Sequence, residues 1–339
     1  MSGPSGGQPV TLPLSAEVVR EQAAASGFPA DAVEKVARLM HLLDAINRDA
    51  YLRDRFALKG GTALNLFHFG LPRLSVDLDL NYIGSPDRRV MLNERVLAES
   101  ILERICAQAG LRLRRKALDH LGGKWILAYR RTSGGQDTIE IDLNYGLRVP
   151  IWPPRRQDSA RLGIWRATEI LLLDEHELAG GKVVALLTRT ATRDLFDTYH
   201  LLTARPLDPA RLRLAITVYG AMSPTDWRTI DTHCVAFDSR DFRLTLLPVL
   251  LSDDAARLRD DEQWGTDHVR QVRERLATYF PLSPDERAFV TGIREHGTID
   301  GALLTSDAGL AMCIEQQPML HWRILQCARI RKDHTAQEP

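Results

Sequence analysis

The sequence predicts an α+β fold, with a β-sheet and flanking helices in the N-terminal half and a mainly α-helical C-terminal half. Two segments alternate apolar and acidic residues with the period of a strand, 76–80 (VDLDL) and 139–143 (IEIDL). From about Glu169 onward, apolar residues recur mainly at helical spacing. Alternating strands followed by a run of helices are typical of the α+β class.

Composition and charge narrow the class of protein. Of the 339 residues, 44% are hydrophobic and 26% are charged, as in an ordinary globular protein. The 44 basic residues balance 44 acidic ones, so no overall basic field would attract nucleic acid, and RNA contacts would depend on local patches. The four scattered cysteines form no C-x-x-C pair, which argues against a zinc site or a disulfide framework.

Neither the first residues nor the apolar runs indicate export or a membrane. Residues 1–14 are rich in Gly, Pro and Ser and lack the basic and apolar regions of a secretory signal. The longest apolar runs, 170–173 and 246–251, are far too short to span a bilayer. We therefore expect a cytoplasmic protein with no membrane partner.

A segment over 147–166 that is rich in proline and arginine suggests a division of the chain. We predict a mobile tail over 1–14, a sheet-containing domain over 15–150 and a helical domain over 151–339. The predicted strands cover 56–58, 76–80, 111–115, 125–129 and 138–144, and the predicted helices cover 15–47, 89–109, 177–187, 192–202, 209–219, 242–251, 266–280, 284–294 and 306–331.

A glycine turn lies between the first predicted strand and a helical pattern. Gly60, Gly61 and Thr62 form this turn, and the helical pattern starts at Ala63. A glycine turn that opens a helix presents free backbone N–H groups, which bind phosphate. Taken alone, such a turn more often only reverses the chain and binds no phosphate.

Two aspartates follow on a strand. Asp77 and Asp79 are two residues apart, so their side chains lie on the same face, while the apolar residues between them face the core. Carboxylates held this close repel each other, and a cation between them relieves the repulsion. Oxygen ligands on a strand suit Mg²⁺, although a lone Asp-x-Asp is more often a solvated strand end.

The order of glycine turn, helix and Asp-x-Asp strand resembles the nucleotidyltransferase superfamily of DNA polymerase beta. More narrowly, KGGTALNLF followed by RLSVDLDLNY is similar to the AbiEii/AbiGii toxin family, which includes the MenT toxins. The linker between Thr62 and Asp77 is a little longer than is usual there. The resemblance covers roughly 42–202. It implies a nucleotidyltransferase-type mixed β-sheet in domain 15–150 and a helical domain that completes the active site.

The resemblance also implies roles for residues of the first half. It places a third carboxylate on a neighbouring strand, where IEIDLNY supplies Asp142, with Glu140 on the same face as the fallback. Asp77, Asp79 and Asp142 would hold Mg²⁺, with Mn²⁺ as the alternative. The backbone of Gly60, Gly61 and Thr62, together with the Thr62 hydroxyl, would hold the β and γ phosphates of a nucleoside triphosphate.

In the second half the resemblance rests on ELAGGKVVALLTR and on an Arg-Asp-x-x-Asp helix. It implies that Lys182 closes over the triphosphate, although a solvated helix lysine is the ordinary alternative. Arg193 would pair with phosphate or with Asp197. Asp194 would orient Lys182 or the acceptor hydroxyl, although an Arg-Asp pair on a helix is otherwise an ordinary salt bridge.

The implied activity is transfer of a nucleoside monophosphate (NMP) from a nucleoside triphosphate (NTP) to an acceptor, with release of pyrophosphate, by a toxin that has a cognate antitoxin. The implied acceptor is the 3′ end of tRNA. Two alternatives stay open, a small-molecule or protein acceptor and a catalytically idle binding module; the intact carboxylate set argues against the latter. Three basic clusters could contact RNA, although such clusters are more often only solvated surface. They are 112–116, 155–156 and the C-terminal group of Arg323, Arg329, Arg331 and Lys332.

Overall fold

The computed structural model of the protein describes residues 14–119, 121–204, 206–258 and 261–335. The predicted mobile tail therefore lies outside the described residues, except for Leu14. The described chain contains a seven-stranded sheet in the order β3-β4-β5-β2-β1-β7-β6. Its strands are β1 (Phe56–Lys59), β2 (Asp77–Tyr82), β3 (Arg112–Asp119), β4 (Gly122–Arg130), β5 (Gln136–Asn144), β6 (Arg155–Gln157) and β7 (Ile170–Leu172).

The sheet is mixed, and it confirms the predicted α+β class. β2 pairs with β5 and β1 pairs with β7 in parallel, whereas the other neighbouring strands are antiparallel. The helices are α1 (Ala16–Ser26), α2 (Ala30–Arg48), α3 (Gly60–Ala63), α4 (Arg88–Gln108), α5 (Glu175–Thr188), α6 (Thr192–Ala204), α7 (Pro209–Met222), α8 (Ser239–Asp241), α9 (Ser252–Arg257), α10 (Asp261–Leu276), α11 (Pro284–Thr291), α12 (Ala308–Glu315) and α13 (Pro318–Thr335).

Several of these helices begin at a side chain that caps their first turn. Ser15 precedes α1 and accepts a hydrogen bond from the backbone of Val18. The first turns of α4, α5 and α7 are capped in the same way, by the side chains of Asp87, Asp174 and Asp208. Each cap satisfies a backbone N–H that the helix itself leaves without a partner.

The alternation of β2 and β5 divides the sheet into an apolar and a polar face. Leu78 and Leu80 of β2 and Ile141 of β5 are buried in the same core as Leu39 of α2 and Leu102 of α4. The acidic residues between them are partly exposed on the other face. Burial of one face fixes the strand register, because a slip of one residue would exchange the two faces.

The sheet does not end at the boundary predicted near residue 150. β6 and β7 lie beyond it, and β7 pairs in parallel with β1. Strands of three residues are too short to show an alternating pattern, so sequence patterns do not reveal them. The helix predicted over 306–331 is two helices, because Pro318 starts α13 and cannot continue α12.

The second half of the chain packs its helices around α5, which contacts α6 and α7. α5 also contacts α3, the short helix that follows the glycine turn. These contacts bring the two halves of the predicted site together. Across the described ranges, we find no helix long and apolar enough to cross a membrane.

Candidate active site

The predicted carboxylates lie together on the polar face of the sheet. The parallel register of β2 and β5 places Asp79 opposite Asp142 and Asp77 opposite Glu140. Residues paired across strands point to the same face. The four acidic side chains therefore form two adjacent rows, as predicted for Asp77, Asp79 and Asp142.

Lysines flank the carboxylate row on both sides. Lys59 of β1 lies opposite Asp79, with its Nζ 4.0 Å from Asp79 Oδ1. Lys124 of β4 lies opposite Asp142 and forms an ion pair with Glu140. The two adjacent carboxylates Asp79 and Asp142 thus have a cation on each outer side, which reduces the repulsion expected from the carboxylates alone.

Burial and mutual repulsion nonetheless favour the neutral forms of two of these acids. The pKa of Asp77 is raised, chiefly by burial and further by Asp79, and Arg193 opposes the rise. The pKa of Asp142 is also raised by burial and by Asp79, against the effect of Lys59. A bound cation would favour the ionised carboxylates, as expected at a cation site.

The described residues contain no group of three His, Cys, Asp or Glu side chains that is already arranged to hold a metal ion. Asp77 instead contacts Arg193, with 3.4 Å between its Oδ2 and the Nη1 of the arginine. The donor set itself fits Mg²⁺, because it consists of carboxylate oxygens on neighbouring strands. The metal roles of Asp77, Asp79 and Asp142 stay a prediction.

The glycine turn lies directly beside the carboxylates. Gly60 has a φ of 72°, and a Cβ on it would lie 2.0 Å from Asp79 Oδ2. Only glycine fits such a position, both for its backbone conformation and for its closeness to the carboxylate. The predicted phosphate-binding backbone and the predicted metal ligands are therefore neighbours in space.

The hydroxyl of Thr62 is not available to a phosphate in this structure. Thr62 is fully buried, and its hydroxyl donates a hydrogen bond to the backbone oxygen of Asp77. This side chain ties the glycine turn to the start of β2. The predicted role of the Thr62 hydroxyl is corrected accordingly, whereas the backbone N–H groups of the turn stay candidates for phosphate binding.

Lys182 lies between two carboxylates rather than extending freely over a nucleotide. Its side chain is 9% exposed, and its Nζ lies 2.8 Å from Asp194 Oδ1 and 2.9 Å from Asp197 Oδ2. Burial alone would lower the pKa of Lys182, but the two carboxylates raise it above its usual value. Lys182 is therefore held as a buried cation, and Asp194 orients it, as one of the predicted roles of Asp194 requires.

Arg193 has a partner within the chain that the sequence did not suggest, and its pairing with phosphate stays a prediction. It pairs with Asp77, on the other half of the chain, and not with Asp197. Its side chain is one-third exposed, so it also remains within reach of solvent and ligands. Through this pair, α6 contacts the start of β2 and closes one side of the site.

Sequence reasoning missed three residues that complete this region. Arg73 forms a bidentate ion pair with Asp197, and Asn65 donates a hydrogen bond to the same carboxylate. Arg189 Nε lies 2.7 Å from Asp194 Oδ2. Arg73 stands inside the motif RLSVDLD, close to the aspartates, but no local pattern shows that it is buried.

The predicted basic clusters are partly used in internal contacts. Arg156 donates to Asn47 and Asp54, and Arg323 donates to the backbone of Met222. In the cluster on β3, Arg112, Arg114 and Arg115 are exposed, whereas Lys116 forms an ion pair with Glu99. The side chain of Lys332 lies outside the described residues.

A cavity of about 370 Å³ lies in the C-terminal half, lined by Arg228, His233, Phe280 and Arg287 among others. It includes none of the residues described above. The candidate site is instead an open region of the sheet, which we favour because carboxylates, cations and the glycine turn meet there.

Comparisons with known proteins bear on the family and the fold. The family model of the nucleotidyl transferase AbiEii toxin, of type IV toxin–antitoxin systems, matches residues 41–291. A similar solved structure is MenT4, the nucleotidyltransferase toxin Rv2826c from Mycobacterium tuberculosis H37Rv, with a TM-score of 0.59 and 17% identity. The similarity covers 91% of this chain and 99% of that one, and at this identity it shows the fold. No curated protein matches the chain.

Proposed function

The chain belongs to the AbiEii family of nucleotidyltransferase toxins, and from this premise we propose that it transfers NMP from an NTP to the 3′ end of tRNA and releases pyrophosphate. The proposed reaction takes place in the cytoplasm, where both substrates are present. As expected of a toxin–antitoxin family, we propose a cognate antitoxin as a further partner.

One observation carries the proposal. Asp79 and Asp142 are neighbours on an open sheet face, and Asp79 lies against Gly60 at the glycine turn. A triphosphate on the turn would place its phosphates beside these carboxylates. Phosphoryl-type transfer needs this combination, because its catalysis consists largely of positioning and of charge stabilisation.

We propose Mg²⁺, or alternatively Mn²⁺, as the cofactor, held by Asp77, Asp79 and Asp142. When bound, the metal would neutralise phosphate charge and lower the pKa of the acceptor hydroxyl. The backbone of Gly60 and Gly61 would bind the phosphates. Lys182 would add positive charge from below the turn.

Arg193 has a separate proposed role at the edge of the site. It contacts Asp77 at 3.4 Å and keeps a third of its side chain exposed. A phosphate oxygen would compete with Asp77 for this guanidinium. Such an exchange would hold the nucleotide while freeing the carboxylate for its own ligand.

The choice of RNA as the acceptor is supported by the β3 edge. Arg115 pairs with Ile126, which in turn pairs with Glu140, the neighbour of Asp77. Arg115 therefore lies on the same sheet face and in the same row as the carboxylates. Arg112 lies on this face too, opposite Ala128. These arginines extend the site with charges that suit a phosphate backbone.

The test is to incubate the protein with Mg²⁺, each α-labelled NTP in turn, and total RNA. We expect label in the tRNA fraction with the wild-type protein and none with Asp79→Ala. Label in protein or in small molecules instead would replace tRNA by another acceptor. No transfer of any label would contradict the proposed activity.

A further inference from the structure

We propose that Arg73 is a positioning residue for the nucleotide, acting through Asp197 on Lys182 and on the glycine turn; this inference rests on the proposed nucleotidyl transfer. Arg73 lies in the loop between the π-helical turn Leu64–His68 and β2, and only 2% of its side chain is exposed. Arginine is almost never buried to this degree unless it is paired.

Its partner is Asp197, with which it forms two hydrogen bonds in parallel. Nε of Arg73 lies 2.8 Å from Oδ1 and Nη2 lies 2.6 Å from Oδ2, while Nη1 donates to the backbone oxygen of Leu74 at 2.9 Å. Asp197 is fully buried. Burial alone would raise its pKa, but Arg73 and Lys182 hold the pKa well below its usual range, so the carboxylate stays ionised.

The Asp197 carboxylate connects Arg73 to the predicted nucleotide-binding residues. Lys182 Nζ lies 2.9 Å from Oδ2. The side-chain amide of Asn65 bonds to Oδ1 at 3.1 Å and also to the backbone oxygen of Gly61 at 2.9 Å. Fixing this carboxylate therefore fixes both the ammonium group and the second residue of the turn.

Arg73 also touches the turn itself. A Cβ on Gly61 would lie 2.9 Å from Arg73 Nη2 and 3.0 Å from Ser75 Oγ. The guanidinium therefore packs against the backbone of the turn and limits how far it can move toward the protein interior.

The charges of this cluster have the sign that favours a phosphate. Two carboxylates, Asp194 and Asp197, are in contact with three cations, Arg73, Lys182 and Arg189. The four buried charges balance one another, and the excess positive charge comes from Arg189, which is 65% exposed and therefore partly screened by solvent. Loss of the Arg73 charge would remove this excess.

The C-terminal half braces the loop that carries Arg73. The backbone of Arg73 forms a β-bridge with Leu250, and the backbone N–H of Leu74 donates to Val249 at 2.8 Å. These contacts hold the loop against the C-terminal half. Arg73 is thus prepared to position the turn before substrate arrives, which reduces the entropy lost on binding.

Arg73→Lys tests the proposal because it keeps the positive charge and loses the bidentate contact with Asp197. A matched control is Arg213→Lys. Arg213 forms the same kind of bidentate pair with Glu286, with N–O distances of 2.6 and 2.7 Å, but it lies outside the candidate site. Both variants should lose thermal stability. Arg73→Lys alone should raise the KM for NTP, by about tenfold or more, with the KM for tRNA unchanged.

A double variant separates positioning from stability. Arg73→Met combined with Asp197→Leu removes both charges of the pair. Because neither charge is left buried without the other, thermal stability should recover relative to Arg73→Met alone. The KM for NTP should remain raised. The proposal is overturned if the double variant recovers the wild-type KM together with stability, or if Arg73→Lys matches Arg213→Lys in KM.

The thermal shift produced by each of the four NTPs, measured without RNA, separates this inference from the proposed function. A wild-type protein that binds an NTP but labels no RNA would refute the acceptor alone, and the shift would still compare Arg73→Lys with its control. A wild-type protein that binds no NTP would refute both.

Discussion

Asp79 of β2 lies directly opposite Asp142 of β5, in a parallel pairing that continues for five residue pairs. The two carboxylates share one face of the sheet, and the pKa of Asp142 is raised chiefly by burial and further by Asp79. Lys59 and Lys124 flank them but do not remove this effect. The pairing explains why a cation is expected here, and it leads to the first prediction.

Asp79→Ala should reduce nucleotide transfer to background while leaving the fold intact. Because the substitution removes one member of a repelling pair, the melting temperature without Mg²⁺ should be unchanged or higher. Transfer assays and thermal unfolding measure the two effects. A large fall in melting temperature would instead favour a purely structural role for Asp79, with Lys59 as its partner.

Lys182→Ala should reduce transfer strongly and should also destabilise the protein. Asp194 and Asp197 would lose a buried partner, which typically costs roughly 3–5 kcal/mol in the free energy of unfolding. Lys182→Arg should recover part of the activity, because the charge returns in a bulkier, planar form. Wild-type turnover in the Ala variant would remove Lys182 from the site.

Salt dependence tests the RNA-binding face on β3. Neutralising Arg112, Arg114 and Arg115 to Gln should weaken tRNA binding and reduce its salt slope, because fewer counterions are released. The slope comes from tRNA affinity measured at several salt concentrations.

A control for this triple variant neutralises Arg20, Arg270 and Arg287, which are exposed and belong to other elements. It removes the same amount of charge and should leave the slope nearly unchanged. Equal effects of the two triple variants would mean that RNA binding depends on net charge rather than on the β3 face.

Glu177, on α5, predicts a pH dependence of stability. Its burial raises the pKa from the ordinary 4.5 to about 7, against hydrogen bonds from Trp152 and Tyr219. A raised folded-state pKa means that the stabilising contribution is complete below pH 4.5 and is lost as pH rises to about 7. The expected loss is about 3 kcal/mol in the free energy of unfolding.

Glu177→Gln should remove most of this pH dependence, because the amide keeps the shape and cannot ionise. Denaturant unfolding between pH 4.5 and pH 8 measures it, with Glu17→Gln, on the exposed face of α1, as the control. Parallel pH profiles for Glu177→Gln and the wild type would assign the effect to other groups.

The features that sequence reasoning found are local ones. The period of two on β2 predicted the shared face of Asp77 and Asp79, and the glycine turn followed from Gly60 and Gly61, whereas the place of Asp142 beside them was implied by the family resemblance. The missed features depend on contacts between distant parts of the chain. Arg73 and Asp197 are 124 residues apart, and their pairing exists only once the loop before β2 packs against α6.

Contacts between distant parts of the chain also explain why local sequence patterns were misleading at some positions. Lys182 looks like an exposed helix lysine until α6 brings two aspartates to it. Thr62 looks like a phosphate ligand until the backbone of Asp77 takes its hydroxyl. β6 and β7 are recognisable only from their pairing with the edge of the sheet beside β1.

The proposed reaction moves an NMP unit onto the 3′ end of tRNA. The most direct measurement compares α-labelled and γ-labelled NTP in parallel reactions with tRNA. We expect label in tRNA from the α position alone, with labelled pyrophosphate released from the γ position. Label in tRNA from the γ position, or no labelled tRNA from either nucleotide, would contradict it.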